Sequence, residues 1–504
     1  MATGSSAPDA PDAPDAPAFT LRSVRRRLLQ GSAWVFGARI GTLVLGLAVS
    51  FLLTHTLTKS EVGDYLSAAT MAFLGGAVAQ LGLDRATVRF AASAIGVDQP
   101  GRARAAIRIA LRYGTIGALV VAAVVVLGLG SFIAEEVFDS PRLASMMPVV
   151  AGWTVALALQ GLFVESFRGL QRFGAATMLD QVFTNAVSSI AFGIVWVTRA
   201  DVSPAFLAGL TASGVALAVG LAAILMLRLL RGLRGTGDLT RAEMFQVARP
   251  LWVTNLAILM LGAGIDLLIL NAFEPSDVVG QYGVAARLVT FVVAPFVIFS
   301  GVIPPIIAEL HTQGKMRQLE KALRAGASLA GLPALAVLVV FLLAGPWILG
   351  TFNGPAYRDA YPVLAILSCG RLYAVWAGSA GVTLMMTGHQ RAMMTITLVS
   401  GTISVTGGIL AAAAFGAVGI ACVTAASQVL QNTMQLTLVR RRLGIWTPLH
   451  LDPRELYRYL RPHGRRGEAA EDAAEAVAEV LVDEEGDPDD DQPPGSSKGH
   501  TSSP

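Results

Sequence analysis

The chain has 504 residues, of which 54% are hydrophobic and 14% charged, with a mean hydropathy of +0.59 and a formal net charge of +3. This composition excludes a set of soluble domains and indicates a chain that uses most of its length to cross a membrane. Both cysteines, Cys369 and Cys422, lie inside apolar runs, which excludes a disulfide framework.

Apolar runs of helical length predict about twelve transmembrane helices, since a span needs about 20 apolar residues. Each span must be a helix, because the bilayer core holds no water to satisfy exposed backbone groups. The first span follows Arg25, Arg26 and Arg27, and we expect it to act as an uncleaved signal anchor. The approximate cores of the spans are 33–55, 62–83, 113–134, 146–166, 176–198, 204–229, 250–273, 279–303, 326–350, 360–386, 393–412 and 416–438.

The spans divide into two groups of six, so the predicted fold class is an all-α integral membrane bundle. Twelve acids lie between Glu468 and Asp491, which makes the end of the chain acidic after a basic start. The expected segments are a disordered cytoplasmic N-tail at 1–28, an N-lobe at 29–230, a cytoplasmic linker at 231–247, a C-lobe at 248–440 and a mostly disordered cytoplasmic C-tail at 441–504.

Basic residues are concentrated on alternate connections between the spans. One side of the membrane holds the N-terminal arginines and the arginines at 440–442. The connections on the other side contain only Lys59, Arg142, Arg199 and Arg358. The positive-inside rule therefore predicts that both termini are cytoplasmic. A basic cytoplasmic face also predicts contact with anionic membrane lipids.

The two halves of the chain repeat each other. The Gly-x-Tyr-x-x-Ala pattern of residues 63–68 recurs at residues 280–285, an offset of 217. Each repeat has six spans, and an even number gives both the same orientation, so an axis along the membrane normal should relate them. The natural site is the cavity between the halves. Two further matches have offsets of 219 and 214: residues 169–172 with 388–391, and residues 138–141 with 352–355.

These motifs carry a family resemblance over roughly residues 22–445. Gly63-Asp64-Tyr65 followed by Leu81-Gly82-Leu83-Asp84-Arg85, and Asp266 followed by Gly280-Gln281-Tyr282, resemble the lipid-linked oligosaccharide flippases of the Wzx type. Those flippases belong to the multidrug/oligosaccharidyl-lipid/polysaccharide exporter (MOP) superfamily, which also contains the multidrug and toxin extrusion (MATE) antiporters and the peptidoglycan-precursor flippase.

The resemblance implies a two-lobed MATE-like transporter of the bacterial inner membrane that needs no cofactor. Its implied substrate is a polyprenyl-pyrophosphate-linked oligosaccharide, moved to the outer leaflet by alternating access. Its implied partners are that substrate and the polysaccharide biosynthesis machinery, with no nucleic acid. The two extra spans usual in peptidoglycan-precursor flippases are not found here, which disfavours a lipid II flippase.

Three arginines, Arg39, Arg287 and Arg371, interrupt apolar spans. A guanidinium at such depth is costly unless it faces water, a partner or a ligand, so the three predict a cavity that receives an anion. Arginine suits a pyrophosphate, because its planar fork donates two hydrogen bonds at once. We take these arginines and Tyr373, a near neighbour of Arg371, as candidate substrate contacts. Alternatively, Arg371 caps carbonyls of a broken helix and Arg39 snorkels to the cytoplasmic headgroups.

Asp266 is a candidate coupling residue. It should lie at a depth similar to that of Arg287 on the neighbouring span, so the sequence suggests that the two form a pair. One interpretation is a structural ion pair that fixes how the helices meet. The other is a pair that opens on protonation or substrate binding.

Two other functions compete with the flippase. A multidrug cation antiporter of the same superfamily should present buried acids, whereas the deep charges here are mostly arginines. A membrane-embedded polysaccharide polymerase or ligase should have a large outer loop, and the predicted outer loops are short. The sequence contains no nucleotide-binding Gly-x-x-x-x-Gly-Lys-Ser/Thr motif and no metal-ligand cluster, so we expect a transporter and not an enzyme.

Overall fold

A computed structural model describes residues 21–233, 237–259, 264–300 and 303–448, and within these ranges every regular element is a helix. This confirms the all-α fold class. The N-terminal half contains α1 (Leu21–Thr56), α2 (Lys59–Ala79), α3 (Leu83–Gly96), α4 (Pro100–Val137), α5 (Pro141–Ser145), α6 (Met147–Gly169), α7 (Phe173–Thr198) and α8 (Pro204–Gly232). The C-terminal half contains α9 (Arg241–Leu259), α10 (Ile265–Asn271), α11 (Ser276–Ser300), α12 (Ile303–Thr312), α13 (Met316–Phe352), α14 (Tyr361–Ala377), α15 (Ala380–Met386) and α16 (Gln390–Leu443).

The helix α16 is a hairpin of two antiparallel arms, residues 390–415 and 417–443. Gly416 interrupts the helical backbone with φ 57° and ψ −140°. The arms lie side by side, since the Gln431 amide donates a 3.5 Å hydrogen bond to Thr397 Oγ1. A Cβ at Gly416 would meet only the flexible end of the Glu274 side chain, so it is the positive φ that requires glycine there.

Nine helices in the described part of the chain are long and apolar enough to cross a membrane, and the hairpin α16 is counted once among them. Ile40–Thr56 is a shorter apolar helix within α1. Counting the two arms of α16 separately, and adding α1 and the broken pair α9 and α10, gives a helix at each of the twelve predicted span positions.

The repeats make equivalent contacts in the two halves, which gives the duplication a physical basis. In the N-lobe, the Tyr65 hydroxyl lies 2.9 Å from Thr211 Oγ1. In the C-lobe, the Tyr282 hydroxyl interacts with the Thr424 side chain. Both tyrosines are buried, at 2% and 1% exposure, in one apolar core that continues across both lobes. The tyrosine of the repeated motif therefore joins the second helix of each repeat to the last.

Glycines of the repeated motif mark where the lobes meet. We call the helix ends near Lys59 and Ser276 the outer ends, following the predicted orientation. There α2 packs against α11 so closely that a Cβ at Gly63 would overlap the Ser276 carbonyl, and one at Gly280 would overlap the Lys59 carbonyl. Only glycine permits this backbone-to-backbone approach.

At the opposite, inner ends, α9 packs on the N-lobe helices α3 and α4 as well as on α16. It begins at Arg241, inside the segment 231–247 that the sequence suggested as a linker. A Cβ at Gly82 would overlap the Ala248 carbonyl, and the Trp252 indole donates a 3.2 Å hydrogen bond to the Val78 carbonyl. The helix that leads into the C-lobe is therefore fastened to the N-lobe.

Candidate functional site

A polar cluster lies inside the C-lobe and includes two of the candidate residues from the sequence. We define the C-lobe cluster as Asp266 on α10, Tyr282 on α11, Arg371 on α14 and Gln428 on the second arm of α16. The Tyr282 hydroxyl donates a 2.7 Å hydrogen bond to Asp266 Oδ2, and Asp266 Oδ1 accepts from the Leu267 amide at 3.0 Å. Three helices and a hairpin thus contribute to one polar cluster that contains the half-buried Asp266 carboxylate.

Gln428 holds Arg371 in the same cluster. With the amide oriented so that its oxygen faces the guanidinium, that oxygen accepts from Arg371 Nη1 at 2.8 Å and from Nη2 at 3.2 Å. Gln428 is 7% exposed, so its position is fixed by packing. Arg371 also lies within electrostatic range of Asp266 and Tyr282. One side of the guanidinium is therefore fixed by a neutral acceptor, and its positive charge is retained.

Arg287 lies on α11 where that helix faces the N-lobe. Its guanidinium makes no hydrogen bond or ion pair with any described side chain. Its nearest electrostatic neighbour is Tyr65 on α2, which belongs to the other lobe. The residue is half-buried on this face of α11. Arg287 is thus a cation at the lobe interface with no fixed counter-ion among the described residues.

Two arginines at the inner end of the N-lobe differ from Arg287, because carboxylates lie beside them. Arg168 bonds to Glu165 and reaches Asp180 Oδ2 at 3.2 Å. Arg85 lies 3.8 Å from the same Glu165. Arg168 and Arg85 therefore have carboxylate partners, whereas Arg287 has none among the described residues.

The expected pair of Asp266 and Arg287 does not form. No ion pair within 4.0 Å joins them, although both belong to the described part of the chain. The physical reason is helix rotation. Tyr282 is the residue of α11 that faces Asp266, and five further positions turn a helix by about 140°, which carries Arg287 away from α10. The cation nearest to the carboxylate in electrostatic terms is Arg371.

The other two candidates lie elsewhere. The Tyr373 hydroxyl lies 2.7 Å from Thr433 Oγ1 in an exposed position, outside the C-lobe cluster. Arg39 is in α1, but its side chain lies outside the described residues. Sequence reasoning missed Gln428, which is uncharged. Its signal was a polar residue in the middle of the last apolar span.

The site offers two guanidinium groups together with a carboxylate that is already hydrogen-bonded. Among the described residues, no group of three or more His, Cys, Asp or Glu side chains is placed to hold a metal ion. The arginines supply donors in a fork geometry that matches phosphate oxygens.

Comparisons with known proteins bear on the whole fold. A family model described as "Polysaccharide biosynthesis protein" matches residues 28–311, more than half of the chain. None of the curated proteins compared with the chain matches it.

Solved structures of transporters share the architecture. An inward-facing multidrug resistance MATE family transporter of the MOP superfamily has a TM-score of 0.64 at 13% identity, covering 81% of this chain and 98% of its own. The lipid II flippase MurJ, in an inward closed conformation, has a TM-score of 0.63 at 11% identity, covering 88% and 97%. A MOP superfamily transporter from Pyrococcus furiosus has a TM-score of 0.58 at 13% identity, covering 83% and 96%. At these identities the likeness concerns the fold, and it confirms the two-lobed bundle.

Proposed function

Because the chain belongs to the polysaccharide biosynthesis protein family, a family of membrane transporters and not of enzymes, we propose that it flips a polyprenyl-pyrophosphate-linked oligosaccharide. The substrate would pass from the inner to the outer leaflet by alternating access of a cavity between the lobes. We place the protein in the bacterial inner membrane with both termini in the cytoplasm. The moving units would be the predicted lobes, 29–230 and 248–440. The proposed partners are anionic membrane lipids and the polysaccharide biosynthesis machinery.

The observation that carries this proposal is the unpaired guanidinium of Arg287. A cation at this depth is costly without a counter-charge, and Arg168 in the N-lobe has two acidic partners where Arg287 has none among the described residues. An anionic ligand arriving between the lobes would supply the missing charge. A pyrophosphate fits because arginine can donate two parallel hydrogen bonds to its oxygens.

Arg371 would serve as a second contact. Gln428 binds two of its nitrogens through a neutral oxygen, which orients the fork without cancelling its charge. Asp266, which accepts a 2.7 Å hydrogen bond from Tyr282, would be the coupling residue, since it is the carboxylate of the C-lobe cluster. Arg39 and Tyr373 remain proposed substrate contacts from the sequence.

The proposal is tested by binding to the purified protein in detergent. The probes are undecaprenyl pyrophosphate and uncharged undecaprenol, and the readout is the dissociation constant from microscale thermophoresis. We expect tight binding of undecaprenyl pyrophosphate and no tight binding of undecaprenol. Arg287→Gln should weaken it by about tenfold or more, since hydrogen bonds to charged groups contribute about 1.5–3 kcal/mol. The exposed Arg228 on α8 provides the matched control, and Arg228→Gln should leave affinity unchanged.

Undiminished pyrophosphate affinity in both Arg287→Gln and Arg371→Gln would overturn the anion site. The multidrug cation antiporter would then become the preferred function. That alternative requires Asp266 to recognise a cation, so binding of a cationic dye that is lost in Asp266→Asn would support it.

A further inference from the structure

The outer contact between the lobes contains a buried carboxylate, Asp64, that belongs to neither the C-lobe cluster nor the arginine site. Asp64 is 2% exposed and lies on α2 next to Gly63, where α2 and α11 touch. A buried charge requires donors to compensate for the water that it has lost. The origin of those donors decides what the residue does.

Three side chains donate to Asp64, and one of them comes from the other lobe. Within the N-lobe, Ser140 Oγ donates to Oδ1 at 3.0 Å and Arg142 Nη1 donates to Oδ2 at 3.2 Å. From the C-lobe, Ser276 Oγ donates to Oδ1 at 2.8 Å, the shortest of the three bonds. The carboxylate therefore joins the first turn of α11 to the N-lobe.

The equivalent position in the second repeat makes no such crossing. Gln281 is 217 residues after Asp64, and its amide donates a 3.0 Å hydrogen bond to the Ala356 carbonyl within the C-lobe. Ala356 is equivalent to Arg142 at the 214-residue offset seen in the outer loops. Both repeats thus fasten their second helix to their own outer loop, and Asp64 alone of the pair also bonds across the interface.

We infer that Asp64 and Ser276 form the latch of an outer gate, which holds the lobes together while the cavity is closed to the outside. When the lobes separate, Asp64 loses only Ser276 and keeps Ser140 and Arg142. The charge is therefore never left without donors, and the latch can open and close repeatedly. A second link at the same end, from Asn353 Nδ2 to Thr54 Oγ1 at 3.3 Å, would open in the same step.

This inference rests on the alternating access of the proposed function, but its test does not depend on the substrate. Spin labels are placed at Glu136 on α4 and Asp359 before α14, both exposed on the outer side of different lobes, after Cys369 and Cys422 are changed to serine. Distances are measured by double electron–electron resonance in lipid nanodiscs without ligand.

We expect Ser276→Ala to raise the ratio of the separated to the closed population about tenfold or more, as expected for losing a hydrogen bond to a charged group. Gln281→Ala removes the equivalent bond within one lobe and should leave the ratio unchanged. An unchanged distribution in Ser276→Ala, or an equal shift in Gln281→Ala, would overturn the latch. If Ser276→Ala shifts the distances but the wild-type protein does not bind undecaprenyl pyrophosphate, only the substrate assignment is overturned.

Discussion

The Tyr282 hydroxyl donates a 2.7 Å hydrogen bond to the Asp266 carboxylate. The direct partner of the acid on α10 is therefore the tyrosine of the repeated motif and not Arg287. This separates the two deep arginines into different environments. Arg371 is a member of the C-lobe cluster, and Arg287 faces the other lobe.

The first prediction concerns energetic coupling in this arrangement. Asp266→Asn combined with Arg371→Gln should be non-additive by about 0.5–3 kcal/mol, since the two groups interact within one network. Asp266→Asn combined with Arg287→Gln should be additive. Double-mutant cycles on the unfolding free energy in detergent measure both terms. Coupling to Arg287 that equals or exceeds coupling to Arg371 would contradict the structure. The charge swap of Asp266 and Arg287 should accordingly restore no function.

The second prediction concerns the fork of Arg371. Arg371→Lys keeps the charge but cannot reproduce the two bonds from Nη1 and Nη2, so polysaccharide export should fall about tenfold or more. Arg371→Ala should be at least as defective. Export is measured by complementation of a deletion strain, with protein abundance measured in the same membranes. Near-normal export with lysine would show that only the charge is needed, and a defect that follows abundance would show a structural role.

The third prediction concerns the close approach of α2 and α11. Gly63→Ala places a Cβ on the Ser276 carbonyl, so the closed contact cannot form without backbone movement. We expect a loss of about 1–3 kcal/mol in unfolding free energy, as in other overpacked sites. The control is Gly209→Ala on α8, where a Cβ meets nothing within 4 Å. Equal melting temperatures for both variants would show that the outer contact contributes nothing.

The fourth prediction concerns topology. Single cysteines at Ser5, Asp139 and Ser497, in a chain without Cys369 and Cys422, should be labelled in intact cells by an impermeant thiol reagent at position 139 alone. The reason is the concentration of arginine on the inner connections. Labelling at position 5 or 497 in intact cells would reverse the orientation.

The spans could be predicted from the sequence because bilayer thickness fixes the length of each apolar run. The duplication could also be predicted. Gly63 and Gly280 occupy the same position in the two repeats, and both allow the close backbone approach of α2 and α11. The partner of Asp266 could not be predicted from the sequence, because it depends on how α11 is rotated about its axis. A shift of one residue turns a helix by about 100°, which is finer than any span boundary drawn from hydropathy. Gln428 was not among the predicted site residues, because a neutral amide carries no charge to mark it within an apolar span.

The attachment of α9 to the N-lobe has a mechanical consequence. This helix is clamped at Gly82 and Trp252, whereas the next helix, α10, carries Asp266 into the C-lobe cluster. The two lobes are therefore joined by a short covalent connection along the chain as well as by packing. Ligand binding at Asp266 acts close along the chain to Trp252, so a local event in the C-lobe cluster has a short covalent route to the opposite lobe.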